Sequence, residues 1–90
     1  MLECKVIKIN QYKNHCRAYL NNDFKGEYLN SFNAIKSIVL GLYANELSPN
    51  RVFLTIEDIA LSLKELDFAV FVYGNDWVLF REKRQHEIYS

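Results

Sequence analysis

Phe68-Ala-Val-Phe-Val-Tyr-Gly-Asn-Asp-Trp-Val-Leu-Phe80 sets two runs of β-branched and aromatic residues either side of Gly-Asn-Asp, and its reading decides the fold. Val, Phe, Tyr and Trp suit a pleated, packed surface, and glycine beside Asn supplies the dihedrals of a tight turn, so the stretch reads as a β-hairpin. Neither run alternates with polar residues. A hairpin of this kind is expected to be covered on both faces, and the remaining chain must extend it or lie on it.

Upstream, Thr55-Ile-Glu-Asp58 has the form of a capping box, in which Thr55 caps a helix and Asp58 reaches back. The helix runs to about Leu66 with Ile56, Ile59, Ala60, Leu63 and Leu66 at inward spacing, while Glu57, Asp58, Lys64 and Glu65 point out with Leu61 among them. Residues 50–54 read as a short strand, and Pro49 ends a second, earlier helix that Asn30 or Ser31 caps and that runs to about Leu47. Phe32, Ile35, Val39 and Leu42 form one face of that helix, with Ile38 and Tyr43 at its margins. Its opposite face carries Ala34, Ser37, Gly41 and Ala44, and only Lys36 and Glu46 are charged. A helix without a solvated stripe is expected to be covered on both sides.

In the first third, apolar residues fall on even positions (Leu2, Cys4, Val6) and then on odd ones (Ile7, Ile9), which reads as a strand bulged near Val6. Residues 11–14 turn, and Cys16, Ala18 and Leu20 then alternate with Arg17 and Tyr19 in a half-buried strand. Asn21-Asn22-Asp23 is a turn, because these short polar side chains tolerate left-handed dihedrals, and residues 24–29 return as a third strand weakened by Gly26. In the first hairpin Cys16 is expected to face Ile9 rather than Cys4, so both thiols stay free. The expected architecture is α+β and two-layer: an antiparallel sheet from the N-terminal meander and the C-terminal hairpin, with two helices packed on one face.

Ninety residues make a single domain over 1–90, with about 83–90 a frayed tail. Eleven basic and eleven acidic residues cancel, which removes the long-range field that draws proteins to nucleic acid or anionic lipid and eases self-association. The N-terminus interleaves charged and apolar residues unlike a secretory signal, and no apolar stretch is long enough to span a bilayer; the expected location is cytoplasmic. Abundant Asn, Lys, Ile and Tyr is the composition of AT-rich genomes and associates the chain with phage or mobile-element accessory proteins.

The inventory for chemistry is thin. His15 stands beside Cys16, but neighbours on a strand point to opposite faces, and His86 lies in the charged tail, so no cysteine–histidine pair is assembled and no enzyme is expected. No Cys, His or carboxylate spacing fits a structural metal, the three glycines are isolated rather than grouped into a phosphate-binding loop, and no cofactor is expected.

Two surfaces suit a partner. Ala34, Ser37, Gly41 and Ala44 would let another backbone approach the first helix closely, and Gly41 costs that helix about 1 kcal/mol relative to Ala. With Leu61 they are the candidate dimer or partner interface. Tyr12, Arg17, Tyr19 and Lys25, with Tyr28 nearby, would put rings and cations on one sheet face, a composition suited to base stacking and phosphate contact. Arg81, Lys83, Arg84 and His86 form a second basic cluster, moderated by Glu82 and Glu87. The expected function is that of a small non-enzymatic interaction protein, a regulator or inhibitor that works by protein–protein contact and self-associates as a homodimer through the first helix or a hairpin edge. The alternative is a nucleic-acid-binding module. Hairpin and first helix both ask for cover on two sides, and one of those surfaces is expected to be met by a second chain.

Overall fold

A computed structural model of the chain describes residues 1–82. The tail expected over 83–90, with Lys83, Arg84, His86 and Glu87, lies outside the described residues. In chain order the elements are strands β1 (Leu2–Gln11), β2 (Cys16–Leu20) and β3 (Asp23–Tyr28), helices α1 (Ser31–Tyr43) and α2 (Ile56–Glu65), and strands β4 (Ala69–Tyr73) and β5 (Asp76–Glu82). The strands form one five-stranded antiparallel sheet in the order β3-β2-β1-β5-β4. The meander and the hairpin are thus joined through β1 and β5, and both helices pack on one face, as the α+β reading anticipates.

Local chemistry fixes the turns. Asn21 and Asn22 hold left-handed φ values of 49° and 72° between β2 and β3. Asn21 also stands in for a strand residue beside β1: its amide donates to the Val6 carbonyl and its Oδ1 accepts from the Val6 amide, each at 2.8 Å. Gly74 takes φ 62° at the first turn position of the β4–β5 hairpin, where a side chain would be strained. Beyond that turn, Asp76 Oδ1 accepts from the Ile9 amide at 2.9 Å and extends the β1–β5 ladder.

Both helices start where their caps predict. Asn30 Oδ1 accepts from the Asn33 amide at 2.9 Å. At α2 the capping box is complete: Thr55 Oγ1 accepts from the Asp58 amide at 3.2 Å, and the Asp58 carboxylate accepts from the Leu54 and Thr55 amides at 2.9 and 3.0 Å. Those two amides hold the Asp58 carboxyl below its ordinary value.

The core lies between the helices and the inner face of the sheet. Ile7, Ile9, Cys16, Ala18, Trp77 and Leu79 rise from the strands to meet Ile35, Ile38, Val39, Ile59 and Leu63, while Phe53 and Phe68 enter from the loops. Near-complete burial of Trp77 and Leu79 makes β5 the strand on which the core rests.

Several expectations change. β1 has no bulge near Val6: its registers with β2 and β5 are continuous, and its odd residues face the core along the whole strand. Register with Trp77 and Leu79 fixes that phase, because a one-residue slip would turn the core residues of one strand outward. Leu2, Cys4 and Val6 therefore lie on the outer face. The irregularity falls instead between β2 and β3, where Ala18 pairs Gly26 and Tyr19 pairs Phe24, leaving Lys25 as the extra residue. Cys16 stands opposite Gln11 rather than Ile9, since β1 runs on until the Tyr12 amide donates to the His15 carbonyl at 2.8 Å around a tight Lys13-Asn14 turn. Residues 50–54 form no strand; the alternation there serves to drop Phe53 into the core, with Val52 and Leu54 exposed on either side of it. α1 ends at Tyr43, short of Leu47, with the Glu46 and Leu47 amides both turning back to the Tyr43 carbonyl. The largest departure is in the hairpin of β4 and β5, which among the described residues is covered on one face alone.

Candidate protein-contact surface

Strand periodicity sends Leu2, Cys4 and Val6 of β1, Val78 and Phe80 of β5, and Ala69, Phe71 and Tyr73 of β4 to the face opposite the helices. Register sets them in rows across the sheet: Cys4 beside Phe80 beside Ala69, and Val6 beside Val78 beside Phe71. Phe71 and Phe80 meet edge to face with centroids 5.9 Å apart. Among the described residues no other element lies over these rows, and Leu2 is 60%, Phe71 45% and Tyr73 65% exposed. Contiguous apolar surface of this kind, flanked by Lys8, Asp76 and Glu82, is the anatomy of a contact patch with a polar rim.

The edge of the same patch is β4, whose Val72 is 49% exposed. It carries no charged residue and no proline, and its register with β5 is unbroken. Such an edge presents unpaired backbone amides and carbonyls to any chain that approaches it.

The inner face closes differently at its far end, in a group of charges. Glu3 and Arg81 stand opposite each other in the β1–β5 register, and both point toward the helices. The Arg81 guanidinium donates to Glu3 Oε1 through Nη2 at 2.9 Å and to Glu46 Oε1 through Nη1 at 2.7 Å, and it lies 4.3 Å from the centroid of the Phe68 ring. Its Nη1 also donates to the Leu66 carbonyl at 3.4 Å, so one cation ties the C-cap of α2 to the segment that follows α1. The Tyr43 hydroxyl donates to Glu3 Oε2 at 2.8 Å, and burial followed by that acid pushes its ionisation far above the ordinary range. The hydrogen bond that Arg81 donates to Glu46, more than any other cause, holds Arg81 protonated. Arg81 belongs to β5 and not to a basic tail, and with each of its charged neighbours paired the group welds the helix ends to the sheet.

The residues singled out on α1 separate. Ala34 is fully buried in the core, where the helix meets the small inner-face residues of β2 and β3. Ser37, Gly41 and Ala44 are exposed, and a Cβ placed on Gly41 would meet nothing within 4 Å. Ser37 and Gly41 border a shallow groove of about 310 Å³ with Leu20, Lys25, Tyr28, Ile38 and Leu42. Leu61 is 53% exposed on the far side of α2 and does not join them.

The basic and aromatic set also divides. Tyr12, Arg17 and Tyr19 share the outer face with Phe24 and Glu27, whereas the irregularity at Lys25 carries that residue and Tyr28 to the helix side. Arg17 Nε donates to Glu27 Oε2 at 2.9 Å, and its guanidinium lies 5.9 Å from both the Tyr12 and the Phe24 ring centroids. The hydrogen bond to Glu27 raises its already high pKa. Tyr12 stacks on His15 at 5.0 Å, and Tyr19 leans on Phe24 at 5.5 Å.

Cys16 is fully buried, which pushes its thiol up, while Cys4 is exposed on the β1 side of the open face; the His15 ring stacks on Tyr12, and its Nε2 lies 3.8 Å from Glu27 Oε2. Among the described residues no three His, Cys, Asp or Glu side chains come together as a metal site would need, and no helix is long and apolar enough to cross a membrane. The chain matches no protein-family model, and neither the curated proteins nor the solved structures hold a match to it.

Proposed function

We propose that this chain is a non-enzymatic protein-contact module, a regulator or inhibitor that acts by covering part of another protein, and that its contact surface is the outer face of β1, β5 and β4. The observation that carries this reading is the apolar patch from Leu2 to Tyr73, left uncovered by both helices. Burying such a patch is the main favourable term available to the molecule, because charge offers none: its formal net charge is zero. The partner is a protein with a flat, uncharged, apolar face of its own.

Cys4 supplies a probe without any substitution, since the other thiol, Cys16, is fully buried. A benzophenone maleimide on Cys4, irradiated in extract of the native host, is expected to crosslink a protein partner. Unlabelled wild-type protein should compete that adduct away, and Val78→Lys should not, because the lysine charges the patch without entering the core. An adduct that both compete equally, or none that is competed, overturns the reading.

The nucleic-acid alternative keeps one supporting observation, the Tyr19–Phe24 pair beside Arg17. Glu27 stands in the same depression and answers the cation, which weighs against phosphate there. Salt-dependent binding of the wild-type protein to a mixed oligonucleotide pool would favour it, and no binding at low salt removes it.

A further inference from the structure

We infer that β4 pairs antiparallel with β4 of a second copy, across a two-fold axis at Phe71, so that two sheets join edge to edge and two open faces become one surface. The inference rests on the protein-contact reading above and adds to it the partner at the edge.

The two edges of the sheet differ in what they permit. β3 is broken for pairing: it carries Asp23, Lys25 and Glu27, an extra residue in its ladder, and Gly26 at φ 147°. β4 has none of these devices. In a hairpin closed by a two-residue turn, the flanking pair Tyr73 and Asp76 exchanges hydrogen bonds, and alternation turns the amides and carbonyls of Val70 and Val72 to the free edge. The same alternation agrees with the Val6 groups facing Asn21 on the other side of β1.

The sequence of β4 then selects a copy of itself as the occupant. Val70-Phe71-Val72 reads alike in both directions about Phe71, and pairing about that residue sets Ala69 of one copy beside Tyr73 of the other. Two-fold pairing sets Val70 against the second copy's Val72, with hydrogen bonds exchanged between them, and Phe71 against Phe71 at the closely spaced, non-bonded position where side chains approach best. Each Phe71 is already held edge to face by its own Phe80, so four rings align on the joined outer face. No charge opposes a like charge anywhere along the strand, which an isologous contact requires. The exposed parts of Phe71, Val72 and Tyr73 amount to roughly 300 Å² per copy, against about 800 Å² in an interface of standard size, so the dimer is weak and concentration-dependent.

Sedimentation velocity between about 10 and about 500 µM spans the range in which so small a contact associates. The wild-type protein is expected to pass from monomer to dimer, with exchange of the Val70 and Val72 amides slowing as concentration rises. Val72→Pro removes the edge donor while leaving the β5-facing bonds, and it should raise the dimer dissociation constant by roughly tenfold or more. Val72→Lys, which leaves the backbone intact and places a charge on the edge, should do the same if the proline variant proves unfolded by circular dichroism. Cys4, two strands away, should react with a thiol reagent equally fast at both ends of the range. A strict monomer throughout overturns the inference and leaves the contact reading to its own crosslinking test. A dimer that survives both Val72 variants, or one that protects Cys4, also overturns it, because association then runs through the open face.

Discussion

The two halves of the sheet flank the same central strand and follow opposite rules. On the β2–β3 side, Arg17, Glu27, Tyr12 and Phe24 answer one another, and the edge is interrupted by charges and an extra residue. On the β5–β4 side, the outer residues are Val78, Phe80, Ala69, Phe71 and Tyr73, and the edge is plain. Two helices can cover one face of five strands and no more, so one face is always left over. This chain armours half of that face with groups that satisfy themselves and leaves the other half apolar. A neutral net charge therefore hides an uneven molecule whose exposed apolar surface gathers on the β1–β5–β4 side among the described residues.

The sharpest way to break that contrast is to compare neighbours on one strand. Leu79 is fully buried on the inner face of β5, and Leu79→Ala should cost about 3 kcal/mol through lost burial and the cavity left behind. Val78, next to it on the outer face, should lose less than about 1 kcal/mol on Val78→Ala. Urea titrations of the free protein measure both, as a fall in midpoint at constant slope. Equal losses would mean that the outer face is covered after all.

The next effect belongs to the charged end of the inner face. Arg81→Met keeps volume but leaves the Glu3 carboxylate, only 12% exposed, without its guanidinium, and should destabilise by about 2 kcal/mol, less than a wholly buried pair because the group still touches water. Adding Glu3→Gln removes the stranded charge, so the double variant should be more stable than Arg81→Met alone. A double variant as unstable as the sum of the single ones would show that the two side chains act separately.

Local chemistry was legible in the sequence: the Asn30 and Thr55 caps, the Asn21-Asn22 and Gly74 turns, and the inward stripe of α2 each depend on neighbours a few residues away. The face of β1 was not, because Leu2, Cys4 and Val6 imitate a buried alternation and only the partner strand decides. A signal was present in Arg81, which shares the odd phase of Trp77 and Leu79 and so had to point inward, toward an acid such as Glu3. Ala34 looked like part of a free small-residue face because a helical wheel does not tell how closely a helix approaches a sheet. The hairpin's apolar runs ask for cover on both sides in a sequence reading, whereas one side of them is the patch itself.

α2 is the inner cover of β4, and its cap tests whether that cover is held at one end. Thr55→Ala should cost about 1 kcal/mol. Asp58 adds a pH dependence of known sign. Its carboxyl titrates lower in the folded chain than in the unfolded one, so its stabilisation is complete above the unfolded value and disappears as pH falls through the folded one. Urea midpoints of wild type and Asp58→Asn should differ at about pH 7 and draw together as pH falls below the unfolded value of about 3.9. A gap that persists in acid would place the effect outside the carboxylate.

The smallest effect sharpens the contrast from the polar side. If Glu27 is what silences Arg17, then Glu27→Gln frees the guanidinium while the rings of Tyr12, Tyr19 and Phe24 stay beside it. All of these groups lie in solvent, so the fold should not notice and the urea midpoint should not move. Binding should notice: a mixed oligonucleotide pool that the wild-type protein ignores at low salt should associate weakly with the variant. The affinity should fall with salt at a slope near that of a single released counterion, about 0.7 for a single strand. Arg17→Ala added to Glu27→Gln should abolish it, because the rings stack but carry no charge. Were the wild-type protein to bind as well as the variant, Glu27 would not be a guard, and the polar half of the sheet would be a second contact surface rather than a closed one.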